Sequence, residues 1–397
     1  MGPANPLDKS DPMKDEFLLD DSLVFLNHGS FGACPRAVFE CLQGWQRRME
    51  ANPVEFLGRR SADLLRAARG GLAAYLGAEE ADLVYVPNAT TGFNIVARSL
   101  DLRGGDEIVT SDHEYGACDN AWAFAANAAG ARVRTAVVPL PFIAEDFVER
   151  IWAAVTPRTR IISVSHITST TALIFPIAAL CRRARAAGIL TLIDGAHAPG
   201  QVKVDLSALD ADFYVGNCHK WLCAPKGAGF LHARREHHAR LDAPVISWGY
   251  SPAVAGHTDL EAFLGTTVLE QRMQWQGTRD IAAYLTVPAA IAFLEQNRWV
   301  ERQARCHQLA LAFSERMSRA TGLSPICQAS DFAQMVSVPL PGSDAAGLKR
   351  RLFDEFRIEV PITEHGGAQF VRASVQAYNS EQDLDALYEA LAAIFGF

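Results

Sequence analysis

The sequence predicts an α/β protein, with a mostly parallel seven-stranded sheet flanked by helices and a smaller α+β unit towards the C-terminus. Three observations predict it. Short apolar, β-branched runs alternate with helical stretches from Asp82 onward, the texture changes after about Trp275, and 397 residues leave room for two units. Strands are expected at 83–86, 107–110, 133–138, 161–165, 190–194, 213–216 and 229–232. Pro35 opens a helical pattern over 35–50, and others follow at 61–76, 91–100, 144–155 and 177–187. Strands alternating with crossover helices bury both faces of a parallel sheet. After the change in texture come helical patterns at 280–296 and 301–319, a strand at 335–339 and a helix at 345–356. Strands at 358–361 and 369–374 and a helix at 381–395 close the chain. The expected division is an N-terminal segment over 1–34 that packs with the small unit, a large unit over 35–276 and a small one over 277–397, hinged near Gly277.

Composition narrows the function classes. Hydrophobic residues make up 49% and charged residues 21%, and 45 acidic side chains against 37 basic ones give a net charge of −8. That balance argues against a nucleic-acid partner. Apolar runs such as 121–131 are too short for a bilayer, and the polar start of the chain lacks the apolar core of a signal peptide. The 8 cysteines follow no repeated spacing, which argues for reduced thiols and a cytoplasmic location.

Ligands of open α/β sheets gather at the carboxyl ends of strands, and four such ends carry unusual residues here. Asn88-Ala89-Thr90-Thr91-Gly92 sits where a helix begins, so its N–H groups suit a phosphate, although Thr90 as a plain cap explains it too. Ser111-Asp112-His113-Glu114-Tyr115 offers rings that could stack on a planar group or titrate near neutrality, or serve as ordinary partners in a polar loop. Asp194-Gly195-Ala196-His197 ends an apolar strand, where a carboxylate needs a cation or a capping role. Asn217-Cys218-His219-Lys220 places one of only six lysines at a buried strand end, and desolvation there turns an amine into a nucleophile. Lys9 and Lys14 lie in a polar tail, Lys349 on an amphipathic helix, Lys203 in a connection and Lys226 in the turn before the next strand. The spacing of Cys218, His219 and Cys223 fits no common zinc site, so no metal is expected. One ligand with a phosphate, a ring, a basic ring nitrogen and an aldehyde satisfies all four ends, and pyridoxal 5′-phosphate has these parts.

The segments Asn88–Thr91, Asp194–His197 and His219-Lys220, in this order, resemble the class V aminotransferases among the fold-type I enzymes that use pyridoxal 5′-phosphate. Within that class, the stretches 26–32, 53–60 and 112–117 resemble the isopenicillin N epimerase-like branch, and 276–280 and 371–374 fit the class. The resemblance spans nearly the whole chain and implies roles. Lys220 would carry the cofactor as an aldimine and later move the α-proton, while Asp194 would keep the ring nitrogen protonated. Tyr115 would stack on the ring, where the family more often has His. His197 and the Thr168-Ser169 loop would lie near the ring oxygen. Ala89, Thr90, Thr91, Asn217 and His219 would hold the phosphate, joined by Thr278 from a second copy, which implies a homodimer with shared sites. Asn27, His28 and Arg372 would bind the amino-acid substrate, Arg372 through its carboxylate.

One cofactor supports several reactions. The resemblance implies an epimerase or racemase first, then a C–S β-lyase of the ergothioneine-pathway type, then an aminotransferase. A cysteine desulfurase is disfavoured, because Thr363-Glu364-His365-Gly366-Gly367 holds no cysteine. A non-catalytic binding protein would be expected to lack Lys220 or Asp194, and both are present. Arg59, Arg60 and Arg279 are equally suited to a second substrate carboxylate and to the surface or a dimer interface.

Overall fold

The computed structural model describes residues 13–250 and 264–397, so Lys9 lies outside the described residues. Strands are numbered β1 Val24–Phe25, β2 Leu83–Val86, β3 Glu107–Ser111, β4 Arg132–Ala136, β5 Thr159–Ser165, β6 Leu190–Gly195, β7 Phe213–Asn217 and β8 Gly229–Ala233. β9 Met335–Leu340, β10 Ile358–Glu359, β11 Ile362–His365 and β12 Ala368–Ser374 complete the set. The 7-stranded sheet runs β2-β8-β7-β6-β5-β3-β4. Only β8 is antiparallel to its neighbours.

Alternation along these strands feeds two cores, one on each face. Tyr85, Val109, Ile162, Ile193, Tyr214 and Phe230 join one cluster, while Val84, Ile108, Ile161, Leu192, Phe213 and Leu231 join the other. Strands with no wet face read as continuous apolar runs, which is why all seven were legible. The exception is the edge strand β4, whose Arg132 and Arg134 are exposed. Charge on an edge discourages pairing with another chain.

The small sheet is antiparallel, in the order β11-β12-β9. Helices Trp299–Thr321 and Glu381–Phe395 supply Phe313, Met317, Leu387 and Leu391 to its cluster with Val338 and Val371. Three local readings change. The pattern at 280–296 divides into helices Ala282–Leu285 and Val287–Gln296, because Pro288 has no N–H for the preceding turn. Their side chains, Tyr284, Val287, Ile291 and Phe293 among them, pack in the cluster of the large sheet. The helix Gly116–Ala129 and the short strand β11 had no marked pattern: the first is Ala-rich without a broad polar stripe, and the second is exposed or half-buried throughout. No described helix is long and apolar enough to cross a membrane.

The N-terminal segment touches both clusters. Phe17 packs in the large one, β1 pairs in parallel with β10, and Leu26 packs in the small one. It then turns at Gly32, with φ +70, against the His219-Lys220 backbone; a Cβ there would lie 1.9 Å from the His219 carbonyl oxygen. Both the left-handed conformation and the close approach require glycine. Gly32→Ala is therefore expected to lower stability by at least ~2 kcal/mol, as read from the denaturant midpoint. An unchanged midpoint would show that the segment does not bear on the lysine turn.

Candidate active site

A cavity of about 340 Å³ opens at the carboxyl ends of β5, β6 and β7. Sheet register builds its floor. Ser165 pairs with Asp194, Asp194 with Val215, and Gly195 with Gly216, so the three strands end within two residues of one another. Of the residues expected at the site, Ala89, Thr90, Tyr115, Ser169, Asp194, His197, Asn217, His219 and Lys220 line this one cavity.

Asn88 caps the helix Ala89–Ser99 by accepting from Thr91 N–H at 2.8 Å, which starts that helix two residues earlier than its pattern suggested. Ala89 N–H donates to Asn217 Oδ1 at 2.8 Å. Thr90 N–H, in the first turn, has no partner among the described residues and is left for an anion. Opposite stands His219, whose Nδ1–H donates to the Ala228 carbonyl at 3.0 Å. Burial holds its pKa down at about 4, so Nε2 offers a lone pair until an anion draws a proton onto it.

Asp194 is buried, and one oxygen accepts from Ala196 N–H at 2.9 Å while the other lies 3.4 Å from the Cys118 thiol. Desolvation raises its pKa, opposed by that N–H and by Lys220. A carboxylate so sparsely partnered suits a protonated ring nitrogen. Beside it lies Glu114, whose carboxyl is held by the Ser111 hydroxyl and, at 2.6 Å, by that of Ser165. Desolvation lifts Glu114 to about 8.

Lys220 presents its amine 3.1 Å from His197 Nε2. Burial, followed by the Arg372 charge, lowers its pKa from 10.5 to about 8, with Asp194 opposing. The Lys220 carbonyl accepts from His28 Nε2 at 3.0 Å, and His28 Nδ1 accepts from the Tyr378 hydroxyl at 3.1 Å. His28 is fully buried, so it holds the lysine backbone and has no free nitrogen for a substrate. Arg372, on β12, is buried behind two wall residues and donates to the Ser169 carbonyl and to Ser30 Oγ at 3.2 Å. Its Nε has no partner among the described residues. A spare buried donor beside the cavity fits a carboxylate.

Four other expected residues lie off the cavity wall. Asn27 spends its amide on Glu359 and Ser30, and Thr168 is fully buried with its hydroxyl on Thr171 and Leu173 N–H. Thr91 turns its hydroxyl back to Asn88, and Thr278 is exposed. Tyr115 keeps 48% of its surface exposed, whereas His113 turns inward between Thr171 and the Val138 carbonyl. With both His113 nitrogens engaged, the grouping of Asp112, His113 and His365 has no free lone pair there for a metal. Neither Arg59, Arg60 nor Arg279 lines the cavity. Asn88, at the head of the expected phosphate motif, does, and so do Ser30, Phe31, Ser165 and Lys226, which sequence reasoning did not place in the wall. Only the strand-end position of Ser165 could have signalled its place.

The donor set fits pyridoxal 5′-phosphate: anion donors at one end, a bare carboxylate at the floor and a depressed amine between them. Three comparisons bear on this fit. The profile of the family described as Aminotransferase class-V matches residues 24–387. Isopenicillin N epimerase of Amycolatopsis lactamdurans is 39% identical over 95% of this chain and 96% of its own, and a probable chloroplastic L-cysteine desulfhydrase of Arabidopsis thaliana is 28% identical over 94% and 83%. Among solved structures, a cysteine desulfurase of Escherichia coli superposes with a TM-score of 0.78 at 23% identity, covering 97% of this chain and 98% of that one.

A buried amine with its pKa lowered to about 8 carries its proton at the expense of folding stability. Between about 8 and 10.5 the unfolded chain binds the lysine proton and the folded chain does not, so this group makes stability rise with pH across that window. Below 8 the penalty is constant, at up to ~3 kcal/mol. In cofactor-free protein, Lys220→Met should raise stability at pH 7 and lose that advantage towards pH 10.5. Denaturant melts at both pH values check this, and an equal gain at both would contradict a depressed amine.

Proposed function

Because the chain belongs to the class-V aminotransferase family, and is thereby a pyridoxal phosphate-dependent enzyme, we propose that it inverts the α-carbon of an amino acid as an isopenicillin N epimerase-like epimerase or racemase. The observation that carries this reading is the buried Lys220 amine, its pKa lowered to about 8, beside Asp194, in a chain 39% identical to an epimerase over 95% of its length. When bound, the cofactor withdraws electrons from the α-carbon and so acidifies its C–H bond. The residues supply the rest. Thr90, Asn217 and His219 anchor the phosphate, and Asp194 balances the ring nitrogen. Arg372 orients the substrate carboxylate. Lys220, with a pKa of about 8, accepts the α-proton near neutral pH. Inversion needs a second proton carrier, and Tyr115, which enters the cavity from the end of a different strand, is the residue assigned to it.

The second reading is a C–S β-lyase, favoured by the desulfhydrase relative at 28% identity. Persulfide chemistry is not supported, since no cysteine lines the cavity. Incubation with a panel of amino acids in deuterated water separates these readings. Epimerisation predicts deuterium at Cα with loss of optical purity. Release of pyruvate and ammonia without inversion would replace it with the lyase reading, and accumulation of a keto acid would replace it with transamination.

Thr278 lies exposed and away from its own cavity, which supports its assignment to the phosphate site of a second copy. Mixing Lys220→Ala with Thr278→Glu under subunit exchange should then restore activity towards about a quarter of wild type, because half the dimers are mixed and half their sites are intact. If the mixture stays inactive although exchange is demonstrated, the shared site is excluded.

A further inference from the structure

We propose that Trp221 is a positioning residue which fixes the proton of His197 on Nε2, so that His197 meets the Lys220 amine only as a hydrogen-bond donor. An indole N–H donates and cannot accept. Trp221 Nε1 lies 3.3 Å from His197 Nδ1, so that nitrogen must offer its lone pair. The neutral ring then carries its one proton on Nε2, which faces Lys220 Nζ at 3.1 Å.

The indole has little freedom to turn. Trp221 is fully buried, and its ring lies 5.0 Å from that of His28 between centroids. Its carbonyl carbon sits where a Cβ on Gly200 would fall, at 2.2 Å, and Gly200 has φ +88. His197 is buried as well, and its backbone is anchored where its carbonyl accepts from Gln201 Nε2 at 2.8 Å.

The chemistry follows from the lone pairs. A neutral amine accepts an N–H, whereas an ammonium would set its own hydrogens against that of Nε2. The tautomer therefore favours the uncharged lysine. Protonation of His197 is opposed as well: burial first, then Lys220, Arg372 and His28 hold its pKa well below the ordinary value. Around the amine, Arg372 acts in the same direction, while Asp194 and Cys118 oppose it. Without the indole N–H, Nδ1 can take the proton, and Nε2 becomes an acceptor that an ammonium satisfies.

This inference rests on Lys220 being the amine that takes the cofactor, and its test does not use turnover, so a wrong tautomer and a wrong reaction are told apart. The full chain, labelled with ¹⁵N-histidine and free of cofactor, is examined by two-bond ¹H–¹⁵N correlation, with His197→Gln to assign the resonance. The expected result is the Nε2–H tautomer across pH 6–9, and a shift towards Nδ1–H in Trp221→Phe. In the same pair, the pH midpoint of reductive methylation at Lys220, with Lys220→Ala as control, should rise by about one unit when the indole is removed. An Nδ1–H or cationic His197 in the unmodified protein would overturn the proposal without recourse to the variant. So would a Trp221→Phe protein that folds with tautomer and midpoint unchanged.

Discussion

Everything at this site depends on burying one lysine, its pKa lowered to about 8, within reach of a buried carboxylate whose pKa is raised. Burial alone depresses the lysine and raises the aspartate together, and a simple ion pair would reverse the first effect. The structure avoids that by placing Arg372 and the imidazole of His197 on the lysine side, and a backbone N–H on the aspartate side. The register of β5, β6 and β7 fixes Asp194 near its strand end, and Lys220 follows in the turn after β7.

Glu114 completes this balance. A second ionised carboxylate beside Asp194 would neutralise the advantage of the depressed amine. Desolvation lifts the pKa of Glu114 to about 8, against the hydroxyls of Ser111 and Ser165, which donate to its two oxygens and pull it down. Burial thus works on both acids, with Glu114 further pushed up by the charge of Asp194.

Much of this was legible in the sequence because both faces of the large sheet are buried, so strand ends announce themselves as apolar runs that stop at a polar residue. Asp194, Asn217 and Lys220 are such stops. Asn27, His28 and Thr168 were harder, since a polar residue beside a cavity and one turned into the interior look alike until its partners are known. The hydrogen bonds of His28 to Tyr378 and to the Lys220 carbonyl join residues 350 and 192 positions apart. No local pattern encodes such pairs. The helices after 277 were legible as helices, but not as contributors to the large core, because an apolar stripe does not state which sheet it covers.

The N-terminal segment works as a strap. It leaves one core at Phe17, is stitched to the other through β1 and Leu26, and ends with Gly32 resting on the turn that carries the lysine. A strap fastened at three points transmits displacement along its length. Any tilt of the small sheet, and of the arginine it carries, therefore reaches the lysine turn, and under the proposed function this would couple the grip on a substrate's carboxylate to the aim of the proton acceptor.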